Sequence, residues 1–383
     1  MKRIMRDERG MALAVAIFAL VVVGALVAGA FYAGTQEQRV GENGRRLQQS
    51  FGVAEAGLSE RVRNWSPDTI NAKGNYPSDS FTINRTTTAN KTGSFSGAVY
   101  RLNGELYFVS VSGSDTASLS GKLRNGGARQ RIGMLQRIQP LQIDIEASLT
   151  AKNSVSLSGN AGVDGTDHVP GATWACPPLD TSLAGVRTTG TVSTQGNAYV
   201  TGNPQVKTDP NLKDSTFTQY GPTSYDALAA RATLTLSGNG TYKTQPSFNA
   251  DGSCNKADQM NWGDGDNRAS ACGNYFPIIH ITGSATLNGV EGQGILLVDG
   301  DLNVQGSYNF YGITIIKGGL KTAGGGSTVA HFYGGVMAQD ANLDPNTLTG
   351  MATLLYSKCA IVQALEMTGT ASTLRSRAWV QVF

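Results

Sequence analysis

Between Met11 and Ala33 the chain carries no charge, and its twenty-three residues are mostly Ala, Val, Leu, Ile, Phe and Gly. As a helix rising about 1.5 Å per residue this run spans about 35 Å, enough to cross a hydrocarbon core of about 30 Å. It reads as a membrane segment. The pattern then turns from continuous to periodic: Val40, Leu47, Phe51, Ala54, Leu58, Val62 and Trp65 recur at steps of seven, four, three, four, four and three. Such steps put them on one face of a helix, with Arg39, Glu42, Arg45, Arg46, Glu60 and Arg63 on the others. Gly41, Gly44 and Gly52 each weaken a helix by about 1 kcal/mol relative to Ala, so local melting at 41–44 is expected. Ser66-Pro67-Asp68 ends the element.

Alternation replaces periodicity further on. Residues 67–97 are rich in Thr, Asn and Ser and read as a loop with one or two short strands, such as 80–83. Two alternating runs, 98–102 and 105–111, flank Asn103-Gly104, the strongest short-range hairpin signal. A further strand is expected over 130–138, and Gln139-Pro140 marks a boundary. Beyond it, short pieces ending in Gly-Asn cover 154–160, 190–197 and 232–239. A repeat then becomes explicit: 278–287 aligns with 295–304 and with 313–322, at offsets of 17 and 18 residues, and a fourth copy, 336–343, follows 23 later. An apolar strand, a glycine corner and a second alternating strand at that period predict a right-handed parallel β-helix or related β-solenoid, with a β-sandwich as the competing fold. Ile295, Ile313 and Val336 are expected at equivalent inward positions, as are Leu302, Leu320 and Leu343. The fold class is thus mainly β with one long N-terminal helix, divided into a leader (1–10), a transmembrane helix (11–33), its amphipathic extension (34–66), an α+β region (67–140) and a solenoid domain (141–383).

Charge sets the topology. Lys2, Arg3, Arg6 and Arg9 precede the apolar run against only Asp7 and Glu8, so the leader stays in the cytoplasm and the C-terminal part is exported. A cleaved secretory signal competes, but the apolar run is long for one and no small-x-small site follows. The basic leader ends in Gly10 and directly abuts the apolar run. With Arg9-Gly10-Met11-Ala12-Leu13-Ala14-Val15, Gln36-Glu37-Gln38-Arg39 and Ala54-Glu55-Ala56-Gly57-Leu58, residues 9–65 resemble the N-terminal domain of PilX-like type IV pilus assembly proteins. A softer likeness returns at Asn261-Trp262-Gly263-Asp264, Tyr275-Phe276-Pro277 and 294–302. The resemblance implies cleavage between Gly10 and Met11 by a prepilin peptidase, a pilin-like helix covered by a small antiparallel sheet, and partners among pilin subunits and the assembly machinery. Two positions depart from major pilins, which carry Phe where Met11 stands and Glu where Val15 stands. No acid follows until Glu37, about 33 Å further along a helix, which points to a subunit at a filament tip.

Of the chain's 31 basic and 28 acidic residues, nine and six lie within 1–65, leaving 22 of each. The exported part is neutral and carries no electrostatic footprint for nucleic acid. Lys122, Arg124, Arg129, Arg131 and Arg137 form a basic stretch without interleaved aromatics, read as a solvated strand face or an intersubunit contact. The four cysteines all follow the membrane run, as expected for two disulfides in an oxidising compartment. Cys254 and Cys272 are expected to pair, leaving Cys176 and Cys359 to do so if they meet. No C-x-x-C pair supports zinc.

Candidate chemistry is sparse. Asp251, Asp258, Asp264 and Asp266 form the one dense acidic stretch, and Asp264 and Asp266 are weak calcium candidates, because the loop lacks the Gly at position six and the Glu at position twelve. The run Ala323-Gly324-Gly325-Gly326 lacks the Lys-Ser/Thr of a phosphate loop and reads as a turn. His168, His280 and His331 are scattered, and His280 and His331, with no acidic neighbour in sequence, read as structural. No catalytic set, metal or cofactor is expected. The reading is a non-enzymatic, minor-pilin-like component of a type IV pilus or related filament, held in the inner membrane by a single pass or carried to the cell-surface pilus. It would serve assembly or adhesion to a surface polysaccharide or host ligand. The alternatives are a membrane-anchored scaffold with bactofilin-like stacking and a carbohydrate-active β-helix enzyme.

Overall fold

The computed structural model describes residues 9–71, 78–87, 91–115, 128–179, 181–323, 325–343, 349–373 and 379–382. Its first element is a single helix, α1 (Arg9–Arg63), of 55 residues, followed by one turn, α2 (Pro67–Ile70), opened by Pro67 where a missing N–H costs nothing. The helix runs unbroken through Gly41 and Gly44, against the expected melting. Within an established helix each further residue adds a backbone hydrogen bond, and Glu42 bonds Arg45 and Arg46 across the glycines at 2.9 and 3.0 Å.

Four antiparallel strands follow: β1 (Ser78–Thr87), β2 (Lys91–Arg101), β3 (Leu106–Asp115) and β4 (Arg129–Gln139). The Asn103-Gly104 hairpin closes with Arg101 opposite Tyr107. Asn103 Oδ1 accepts from the N–H groups of Glu105 and Leu106 at 2.9 and 2.8 Å. The segment expected to be mostly loop contributes β1 and the start of β2, because Thr and Ser suit a pleated sheet as well as a loop. The sheet packs on the second half of α1, where Ala54 and Leu58 meet Phe95, Val99, Tyr107, Val109, Val111, Ile132 and Ile138. Gly113 permits the approach: a Cβ there would lie 2.3 Å from Ser50 O and 2.4 Å from Ala54 N.

The chain's end returns to this sheet. Strands Thr370–Thr373 and Trp379–Val382 both pair with the free edge of β4, so these residues leave the expected domain 141–383. Asn71 fastens the return by donating from Nδ2 to Glu366 O at 2.8 Å. Everything between β4 and residue 370 is an insertion into one antiparallel sheet.

Apart from one short antiparallel pair, 219–220 with 223–224, the inserted strands form three ladders in which every pair is parallel. The first runs in spatial order 234–237, 278–281, 295–298, 313–316, 336–338, 149–151, 186–188 and 206–208. The second is built on 240–242, 285–287 and 302–304, and reaches 155–157 and 192–194. The third holds 291–294, 309–312, 331–334, 353–355, 162–164 and 199–201. No antiparallel pair joins strands of this sheet among the described residues, which removes the sandwich alternative. The chain enters in mid-stack at 149, runs to one end at 206, crosses to the other end at 234 and returns to meet its own entry strand.

The repeat offsets of 17 and 18 appear in the register: Ile278 opposes Ile295, which opposes Ile313, and Ala285 opposes Leu302, which opposes Leu320. The fourth copy is displaced. Ile313 opposes Gly335 and Leu320 opposes Ala341, with Val336 opposite Thr314, so Val336 and Leu343 are not the equivalents expected. Glycines stack at the corner between the third and first ladders. Gly294, Gly312 and Gly334 have φ of 113°, 137° and 144°, and a Cβ on Gly334 would meet Gly312 O at 1.8 Å.

The facing of these strands also departs from the expectation. Leu296, Val298, Leu302, Ile316, Leu320 and Val336 share one core among the ladders. Ile295 and Ile313 point the other way, into a second core with Leu297 and Ile315. That outer face is covered by α3 (Asp214–Thr218), α4 (Tyr225–Ala229) and α5 (Lys358–Met367), through Phe217, Tyr225, Leu228, Ala360 and Ala364. Strands buried on both faces read as unbroken apolar runs, so alternation could not tell inner from outer.

Candidate functional site

The two halves of α1 have opposite surroundings. Leu13, Val15, Phe18, Leu26 and Phe31 are 65%, 66%, 70%, 69% and 73% exposed, while Ala54 and Leu58 lie under the sheet. An apolar window of this helix with mean hydropathy 2.8 is long enough to cross a membrane. Gly24, Gly29 and Gly34 have nothing within 4 Å of a notional Cβ, so the bare half is open all round. Gly10 lies in its first turn, and the side chain of Met11 falls outside the described residues.

Both cysteine pairs are joined, Cys254 with Cys272 and Cys176 with Cys359, at sequence separations of 18 and 183. The longer one ties α5 to the loop carrying Trp174. That indole donates to Gly265 O at 2.8 Å and forms one wall of a sandwich around Arg268, whose guanidinium lies 4.7 Å from the Trp174 ring and 4.6 Å from Phe276. Burial lowers the Arg268 pKa to about 10, and its Nη2 donates to Gln363 Oε1 of α5 at 2.5 Å.

The acidic stretch divides. Asp251 and Asp258 cap local turns at Ser253 and Met260. Asp264 accepts from Asn267 N at 2.9 Å, and Asp266 accepts from Asn309 Nδ2 at 3.2 Å and from the Tyr311 hydroxyl. In each of the two calcium candidates Oδ1 accepts from a protein donor, and among the described residues no group of three or more His, Cys, Asp and Glu is disposed to hold a metal. Glu291, overlooked in the sequence because it sits alone on a repeat strand, joins this group. Its Oε2 accepts from Asp266 N at 2.8 Å, and burial, reinforced by Asp266 and Asp264, pushes its pKa up to about 7.

His280 finds a partner a repeat away in sequence, and His168 one four residues before it. His280 Nε2 lies 3.0 Å from Asp299, and His168 Nε2 lies 3.0 Å from Asp164. His331 contacts the Thr353 hydroxyl, and burial lowers its pKa. Of the basic stretch, Lys122 and Arg124 fall outside the described residues. Arg137 pairs with Glu105 at 2.7 Å and Arg131 donates to Ser112 at 3.1 Å, the contacts of a sheet face. The glycine run after Ala323 joins two strands, with Gly324 itself outside the described residues.

No family model matches the chain, and no curated protein matches it. Among solved structures, the crystal structure of competence-associated pilin ComZ from Thermus thermophilus is similar at 11% identity, over 87% of this chain and 97% of that one, with a TM-score of 0.27. A likeness at that score carries no argument about this chain.

Proposed function

We propose that this protein is a non-enzymatic, minor-pilin-like subunit that lifts a parallel β-helix on a membrane-spanning stem. The observation that carries the reading is the division of α1: one unbroken helix, bare and apolar over its first half and covered by an antiparallel sheet over its second. A bare apolar half needs either lipid or other apolar helices around it, and a filament subunit uses each in turn. The three parallel ladders are read as the three faces of the β-helix, inserted so that both of its ends join β4 and its neighbours and it is held to the stem at two points.

In this reading a prepilin peptidase cuts after Gly10 on the cytoplasmic side and the helix then packs among other pilin helices. Val15 leaves a mature amino terminus without a carboxylate in the apolar surroundings, where an unpaired charge costs several kcal/mol. That favours a subunit at the filament tip, with no preceding terminus to satisfy. Mass spectrometry of the mature terminus tests the processing step. N-methyl-Met11 is expected, with Gly10→Ala accumulating as full-length precursor; normal maturation of that variant would reject processing at Gly10, and a parent chain that keeps residues 1–10 would favour a permanently anchored scaffold.

A further inference from the structure

The outward face of the third ladder is open in part: Glu291, Tyr311 and Thr353 are buried, Asn309, His331, Tyr333, Asp164 and Thr201 are half-buried, and Tyr199 is exposed. Phe310, Phe332, Leu354 and Val163 of this ladder point into the inner core, so by alternation their neighbours point outward. The register sets these outward positions in a column: Glu291, Asn309, His331, Thr353, Gly162 and Tyr199. Beside it runs a second column that includes Tyr311, Tyr333, Asp164 and Thr201. With strands about 4.8 Å apart, the strip from Asn309 to Tyr199 is about 19 Å long.

Its chemistry differs from that of the other faces. The first ladder's outer face is buried under α3, α4 and α5, and the second ladder's outward positions, Thr286, Asn303, Lys321, Ser156 and Ser193, carry no ring. On the third, the half-buried Tyr333 stacks at 5.1 Å and 9° on Tyr311, which is itself buried against Trp174. Tyr199 lies across Gly162, where a Cβ would come within 2.3 Å of its Cζ, and is 42% exposed. Carboxylates stand at both ends: Asp266 beside Asn309, and Asp164, which accepts from Thr166 Oγ1 at 2.7 Å and lies 3.0 Å from His168. A loop walls one side, because His168 N donates to Tyr356 O at 2.9 Å and Trp174 Nε1 to Gly265 O at 2.8 Å.

We propose that this strip binds an extended neutral oligosaccharide. Sugar rings present apolar C–H faces to tyrosine and hydroxyl edges to carboxylate, amide and imidazole. No Lys or Arg occupies an outward position of the third ladder among the described residues, and His331 is held toward its neutral form, so acidic glycans and nucleic acid meet only like charge. The proposal rests on the display reading for its biological role, but binding is independent of cleavage at Gly10, so either can fail without the other.

The test uses the full chain in lipid nanodiscs, which avoids sugar detergents, with calorimetric titration of neutral hexasaccharides of glucose, mannose, galactose and N-acetylglucosamine, and of hexagalacturonate. At least one neutral chain is expected to bind with Kd of about 1 mM or tighter. Tyr199→Ala and His331→Ala should each weaken it about tenfold, Tyr199→Phe should retain most of it, and Thr286→Ala on the second ladder should leave it unchanged. Binding by none of the neutral chains, equal binding of hexagalacturonate, or indifference to both alanine variants would overturn the proposal.

Discussion

Replacing Glu291 by Gln removes a carboxyl group that is 4% exposed and faces Asp264, Asp266 and the buried hydroxyl of Tyr308. Burial, with the two aspartates adding to it, moves its pKa from 4.5 to about 7, against the pull of the Asp266 N–H. Between those values the folded chain keeps a proton that the unfolded chain has released. The free energy of unfolding therefore falls as pH rises through this window, and the deficit is complete above pH 7. At about 1.4 kcal/mol per unit the shift is worth about 3 kcal/mol. Asp266 is exposed and screened by water, which brings the expected figure to about 2 kcal/mol. Urea unfolding of the solubilised full chain, followed by tryptophan fluorescence, reads this directly, since Trp174 and Trp262 both lie near the group. Glu291→Gln should match the parent near pH 4.5 and exceed it by about 2 kcal/mol at pH 8. Other titrating groups, including Glu366, whose pKa burial also raises, cancel in the difference. A gap between parent and variant that does not change from pH 4.5 to 8 would refute the reasoning.

Gly113→Ala should destabilise the packing of α1 on its sheet by about 1–3 kcal/mol, because its Cβ meets helix backbone. Gly52→Ala, with nothing within 4 Å, should instead stabilise by up to about 1 kcal/mol, and urea midpoints that reverse this order would contradict the close approach. Leu302→Asp puts an unpaired carboxylate at a site with 0% exposure, and loss of the cooperative melting transition is expected; a retained melting temperature would show that Leu302 does not face the inner core. Removing the Cys176–Cys359 link, which closes a separation of 183 residues, should cost up to about 5 kcal/mol against about 3 for Cys254–Cys272 at 18. Double serine variants compared by urea midpoint would oppose the loop-closure account if the shorter loop mattered more.

The membrane run, the helical steps from Val40 to Trp65, the Asn103-Gly104 hairpin and the 17- and 18-residue offsets from Ile278 to Leu320 were all set by residues close in sequence. Each is a local or nearest-neighbour property: a helix face, a turn, or one strand laid on the next at a near-constant spacing. What tertiary structure alone decided involves segments far apart in the chain. The crossing from 206 to 234, the meeting of Val336 with Leu149, and the return of 370–382 to β4 are choices among edges that look alike locally, because parallel strand edges offer the same backbone donors and acceptors. The same limit hid the facing of Ile295 and Ile313: with α5 and the crossing segment burying the outer surface, both sides of the strand became apolar and the alternation that would have marked the inside was lost. His280 and Asp299 meet for a related reason, since 278–281 lies in parallel register on 295–298, and only that pairing makes residues one repeat apart neighbours.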